Sequence, residues 1–149
     1  MKRATNAVLT LIALPLVLGS CRSHTGGPQA GGDVFFPTAP VGDAYPAALI
    51  SGRLEERDRC MFVASGGERW LLLWPEGYEA RLVNGRVEVS DQNGKLVGRD
   101  GDEVSLGGGE SRSSEVGGAA AAEKWATDLT GGDIPERCGD QYWIVARDS

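Results

Sequence analysis

The chain has 149 residues, enough for one domain with a tail. Acidic residues outnumber basic ones by 21 to 15, and the formal charge of −6 argues against a nucleic-acid partner, which would need a basic face for the phosphates. One histidine and three cysteines leave little for imidazole-based metal or acid–base chemistry, whereas 41% hydrophobic residues suffice for a core and 22 glycines favour turns over long helices.

Lys2 and Arg3 form a short positive segment, and Ala7 to Leu18 is an apolar run of 12 residues. A membrane-spanning helix needs about 20. The run fits the hydrophobic region of an export signal instead, and Pro15 disfavours a long regular helix within it. Leu18-Gly19-Ser20-Cys21 follows. This tetrapeptide resembles the lipobox of bacterial lipoproteins: an aliphatic residue, two small residues, then cysteine. The resemblance covers residues 1–21. It implies cleavage before Cys21, attachment of diacylglycerol to the Cys21 thiol, and a place on the extracytoplasmic face of a bacterial membrane, periplasmic or at the cell surface. Two acyl chains hold a protein stably where one holds it marginally. Removal of residues 1–20, with Lys2 and Arg3, leaves 129 residues and a charge of −8. Such a surface is weakly repelled by anionic lipid, so the membrane contact falls to the anchor.

Residues 21–46 read as the lipidated cysteine and a flexible tether rich in glycine and proline, with Pro28, Pro37, Pro40 and Pro46 among them. Such a composition buries too little apolar surface to offset ordering of the chain. A flexible segment of this length has an end-to-end distance of about 28 Å. Val34-Phe35-Phe36 is an apolar island expected to dock on the domain, with the bilayer surface or a partner as the alternative.

Residues 47–149 read as one β-rich globular domain. Ala48 to Leu54 alternates as a first strand, and Cys60 to Ala64 is the second. Arg69 to Trp74 (RWLLLW) is apolar on both faces and so central, and Pro75 ends it. Ala80 to Val83 and Arg86 to Ser90 flank Asn84-Gly85, a strong hairpin signal because a type I′ turn needs positive φ twice. Asn93-Gly94 and Arg99-Asp100-Gly101-Asp102 turn into Lys95–Gly98 and Glu103–Leu106. Gly107-Gly108-Gly109 reads as a flexible corner, and Ser111 to Gly118 as a mobile loop over one end. Ala119 to Leu129 favours a short helix, and Gln141 to Arg147 a closing strand. The fold class is mainly β: a small antiparallel barrel or sandwich, OB-like in one version, with one short helix before the last strand.

With Cys21 assigned to lipid, Cys60 and Cys138 remain, and an even pair in an exported domain reads as a disulfide. Its loop of about 79 residues corresponds to about 4–4.5 kcal/mol of chain entropy. The chain contains no C-x-x-C, which weighs against oxidoreductase chemistry. The Trp74-Pro75-Glu76-Gly77 run and the closing Cys138-x-x-x-Tyr142-Trp143 look like small lipoprotein domains, a likeness that implies no activity.

Other chemistry is thinly represented. His24, the sole histidine, sits in the tether. Glu55, Glu56, Asp91, Asp100, Asp102, Glu103 and Glu110 are mostly turn and surface carboxylates. Asp91, Asn93, Asp100 and Asp102 occupy neighbouring turns with the oxygen ligands calcium prefers, but without a full EF-hand loop. Gly107-Gly108-Gly109 lacks the Lys-Ser/Thr ending of a phosphate loop. Trp70, Trp74, Tyr142 and Trp143 form the candidate binding platform, with Tyr78 nearby; core packing is the alternative. On alternating strands Trp70 and Trp74 share one face and Trp143 faces opposite to Tyr142, so at most one face of each pair is core and some of these rings are expected to be exposed. The expected function is a membrane-anchored, non-catalytic envelope module that binds an envelope protein or supports assembly. The alternative is binding of a glycan, lipid headgroup or Ca²⁺ at one barrel end. No motif implies a cofactor, a resident metal or a catalytic residue.

Overall fold

The computed structural model describes residues 34–40, 48–112 and 117–147. The segment expected as a leader (1–20), Cys21, His24 and most of the segment expected as a tether lie outside the described residues, as does the centre of the Ser111–Gly118 stretch.

In chain order the elements are β1 (Thr38–Ala39), β2 (Ala48–Arg57), β3 (Cys60–Ser65), β4 (Glu68–Pro75), β5 (Glu79–Val83), β6 (Arg86–Ser90), β7 (Leu96–Arg99), β8 (Glu103–Arg112), α1 (Ala119–Thr130), a 3₁₀ turn (Glu136–Cys138) and β9 (Gln141–Val145). Strands β4, β3, β2, β8 and β9 form one sheet that closes on itself, because β4 also pairs with β9. The result is a closed five-stranded barrel. Its seams are antiparallel except the last, where β4 and β9 run parallel with Leu71 opposite Tyr142 and Leu73 opposite Ile144. Strands β5, β6 and β7 make a separate three-stranded sheet. One helix precedes the last strand, as the sequence predicts.

Alternation sorts the side chains into two cores. Leu54, Met61, Val63, Trp70, Leu72, Trp74, Leu106, Trp143 and Val145 pack together inside the barrel. Ala80, Val87 and Val89 of the small sheet join this cluster, so that sheet caps the barrel. The residues between them face outward: Phe62, Leu71, Leu73, Tyr142 and Ile144 pack with Ala122 and Ala126 of α1, Ile134 and the two cysteines. A strand covered on both faces reads as a continuous apolar run. RWLLLW is such a run, and its residues Trp70 to Trp74 are all buried.

The apolar island docks on the barrel. Phe36 is buried and stacks on Trp74 with ring centroids 5.2 Å apart, and Trp74 stacks in turn on Tyr78 at 6.0 Å. The Tyr78 hydroxyl donates to the Arg147 carbonyl at 2.6 Å. Strand β1 continues this strap, parallel to the end of β4. The Asn84-Gly85 turn has positive φ at both residues, 52° and 80°, as its hairpin requires.

Gly107, Gly108 and Gly109, expected as a flexible corner, lie within β8 and pair with β2 and β9. The reason is close approach of backbone. A Cβ on Gly108 would sit 1.8 Å from the Ile144 carbonyl oxygen, and φ there is +151°. Only glycine lets β8 lie this close to β9. Gly108→Ala should therefore destabilise the domain by about 3 kcal/mol, the upper range for overpacking. Gly132→Ala, where a Cβ meets open space, is the matched comparison. Equal denaturation midpoints for the two variants would contradict the close approach.

Candidate functional site

The four rings of the candidate platform do not form a surface. Trp70, Trp74, Tyr142 and Trp143 are all buried, each 3% exposed or less, and so is Tyr78. The alternation itself is as expected: Trp70, Trp74 and Trp143 point into the barrel, while Tyr142 points outward. The outward side is not open, however. Helix α1 lies over it, and Trp125 of α1 contacts the Tyr142 ring at 6.3 Å. Both faces of these strands are core, so the platform reading is corrected to a packing role.

The acidic turns are occupied by the protein itself. Asp91 Oδ1 accepts backbone N–H bonds from Asn93 at 2.8 Å and Lys95 at 2.9 Å. The Lys95 bond, aided by Asn93, holds the Asp91 carboxyl below its usual range. Asp100 Oδ1 accepts from the Glu56 N–H at 2.9 Å. Asp102 accepts from the Arg99 N–H at 3.0 Å and pairs with Arg86 at 3.3 Å. These carboxylates fix turns, and among the described residues no three His, Cys, Asp or Glu side chains converge on one point. Among the same residues no helix is long and apolar enough to cross a membrane.

Cys60 and Cys138 are joined by a disulfide with a Cα–Cα distance of 5.7 Å. The bridge ties the start of β3 to the 3₁₀ turn before β9. It thereby brings together two segments 78 residues apart in sequence. Beside it opens a cleft of about 270 Å³. Arg57, Arg69 and Arg137 line it with Asp58 and Asp140, and Phe62 and Gln141 complete the wall. The two-residue turn between β2 and β3, Asp58-Arg59, has positive φ at both residues, 51° and 63°. Such values are uncommon outside glycine and persist only where surroundings impose them. Here Glu56 accepts from the Arg59 N–H, the Arg59 carbonyl accepts from the Phe35 N–H, and Arg137 Nε donates to the Asp58 carbonyl at 2.9 Å.

The cationic residues of this cleft carry no sequence signature, since they come from β2, β4 and the 3₁₀ turn. One signal was available. Pairing Cys60 with Cys138 necessarily places Arg57 and Asp58 near Arg137. No protein family, curated protein or solved structure matches the chain.

Removal of the bridge, with Cys60→Ser and Cys138→Ser together, should cost about 2–5 kcal/mol of stability in denaturant titration. A loss under about 0.5 kcal/mol would mean that the neighbouring contacts alone hold the turn. Tyr142 supplies a pH test. Burial, then the charges of Glu123 and Asp140, push its hydroxyl up from 10.0 to about 12. The folded state therefore retains a proton that the unfolded state releases. The associated stability is present below pH 10 and falls away as pH rises from 10 to 12. The difference in stability between wild type and Tyr142→Phe should shrink or change sign over that window. A constant difference would exclude the shift.

Proposed function

We propose that the protein is a membrane-anchored bacterial lipoprotein whose barrel is a non-catalytic binding or assembly module on the extracytoplasmic side. The observation that carries this reading is the Cys60–Cys138 bridge, because disulfides form and persist in oxidising compartments outside the cytoplasm. It agrees with Leu18-Gly19-Ser20-Cys21, which supplies an address and an acylation site in four residues. Anchoring leaves one cysteine for lipid and two for the bridge, so no thiol is left over.

Within this reading a specific observation favours small-ligand binding over a broad protein face. The aromatic rings that would build a partner patch are inside the molecule. The large exposed apolar side chains among the described residues are Leu49, Leu82, Val83 and Leu96, spread over β2, β5 and β7. The arginine-lined cleft is concave and offers convergent polar groups, the usual character of a ligand site. The anchor is tested by metabolic labelling with an alkyne fatty acid in a bacterial host. Wild type should label and fractionate with membranes, and Cys21→Ala should do neither. Labelling that survives in Cys21→Ala would remove the anchor from the reading.

A further inference from the structure

We propose that the cleft beside the disulfide binds the phosphate group of a small hydroxylated organophosphate, of the glycerol phosphate class. The inference rests on the binding-module reading and adds the ligand chemistry and its residues; it does not depend on the anchor.

Three guanidinium groups meet at this cleft in a chain whose formal charge is −6. Arg69 has no hydrogen-bond or ion-pair partner for its side chain among the described residues. Among the described residues Arg137 is committed only through Nε, to the Asp58 carbonyl, which fixes the group and leaves its two terminal nitrogens without a partner. Arg57 lies 3.6 Å from Asp58 Oδ2, a long and exposed contact. Guanidinium forks match the oxygens of phosphate bidentately, in a way a lysine ammonium does not. A burdened pair of arginines would be a poor anion site, but two of these three, Arg69 and Arg137, have free donors, and Arg137 is already oriented by a backbone carbonyl.

The remaining lining decides what kind of anion. Asp58 and Asp140 reduce the net lining charge to +1. They also provide acceptors, and Gln141 Oε1 is a buried acceptor with no partner among the described residues. Acceptors beside guanidinium donors fit a ligand that carries hydroxyls next to its phosphate. Phe62 gives an apolar wall for a short carbon skeleton. The volume of about 270 Å³ lies just below the usual range for drug-sized ligands, consistent with a small molecule or a headgroup. The disulfide makes the site, since it holds the Arg137 segment against the Arg57–Asp58 turn.

The same chemistry occurs free and on a lipid headgroup, and the experiment separates the two. The full chain is titrated calorimetrically with glycerol 1-phosphate in the presence of phosphatidylcholine or phosphatidylglycerol vesicles. Saturable binding is expected with phosphatidylcholine. Arg69→Gln and Arg137→Gln should each weaken it about tenfold or more, as expected for a lost hydrogen bond to a charged group. Arg81→Gln, on β5 and paired with Glu79, should leave it unchanged. Suppression by phosphatidylglycerol alone assigns the site to the headgroup; equal binding in both assigns it to the free molecule. Absence of saturable binding with phosphatidylcholine, or binding indifferent to both arginine variants, overturns the proposal. Failure here with Cys21 still labelled removes only the ligand, whereas loss of labelling with binding intact removes only the anchor.

Discussion

The parallel seam between β4 and β9 is the constraint on which the rest of the structure depends. Without it the strands form an open sheet with two unsatisfied edges, and an exposed edge invites pairing with other chains. With it, each of β4 and β9 has backbone partners on both sides and side-chain cover on both faces. The seam also fixes register. Leu72 and Trp143 point in together, and Leu71, Leu73, Tyr142 and Ile144 point out together under α1. A shift by one residue would exchange the two cores, placing tryptophans where small alanines of the helix now fit. Closure therefore specifies one arrangement, not merely a compact one.

A seam between residues about 70 apart in sequence must be reached before its contacts can repay the ordering of the intervening chain. Two devices act on that problem. The small sheet and the α1 segment are local units, built largely from short-range pairings, so much of the intervening chain is ordered independently of the seam. The Cys60–Cys138 bridge then confines the ends, removing loop entropy from the unfolded state. The docked strap adds a third layer at the end of β4. Its Phe36–Trp74–Tyr78 stack covers a ring that would otherwise open the barrel interior to water.

What was legible in the sequence follows the same physics. Strand positions, the Asn84-Gly85 hairpin and the helix were legible because each rests on local chemistry: alternation, positive φ, an alanine run. RWLLLW announced a central strand for the same reason. The exposure of the aromatic rings was not legible. Alternation tells that Tyr142 and Trp143 face opposite ways, but not that a helix will cover the second face. Nor does a run of three glycines reveal that Gly108 sits against the Ile144 carbonyl, since that approach belongs to the tertiary seam. The cleft was hidden most deeply, because Arg57, Arg69 and Arg137 share no spacing: strand pairing through β3 brings the first two together and the disulfide sets Arg137 beside them.

The coincidence of bridge and cleft has a physical consequence for recognition. With a formal charge of −6, the chain as a whole repels anions at long range, and that repulsion is screened beyond about 8–10 Å at physiological salt. Electrostatic steering therefore contributes little to the capture of an anion by this molecule. Any preference for one must come from contacts inside the screening distance, where donor geometry outweighs net charge. That places a premium on rigidity, because a guanidinium that must first be ordered loses part of what its hydrogen bonds return. The cleft supplies such rigidity from covalent and backbone sources: a disulfide next to Arg137, a backbone carbonyl on its Nε, and a turn whose left-handed residues are held from three directions. The bond that ties the start of β3 to the turn before β9 and the groups proposed to recognise an anion are thus one piece of structure, and a change in either is felt by the other.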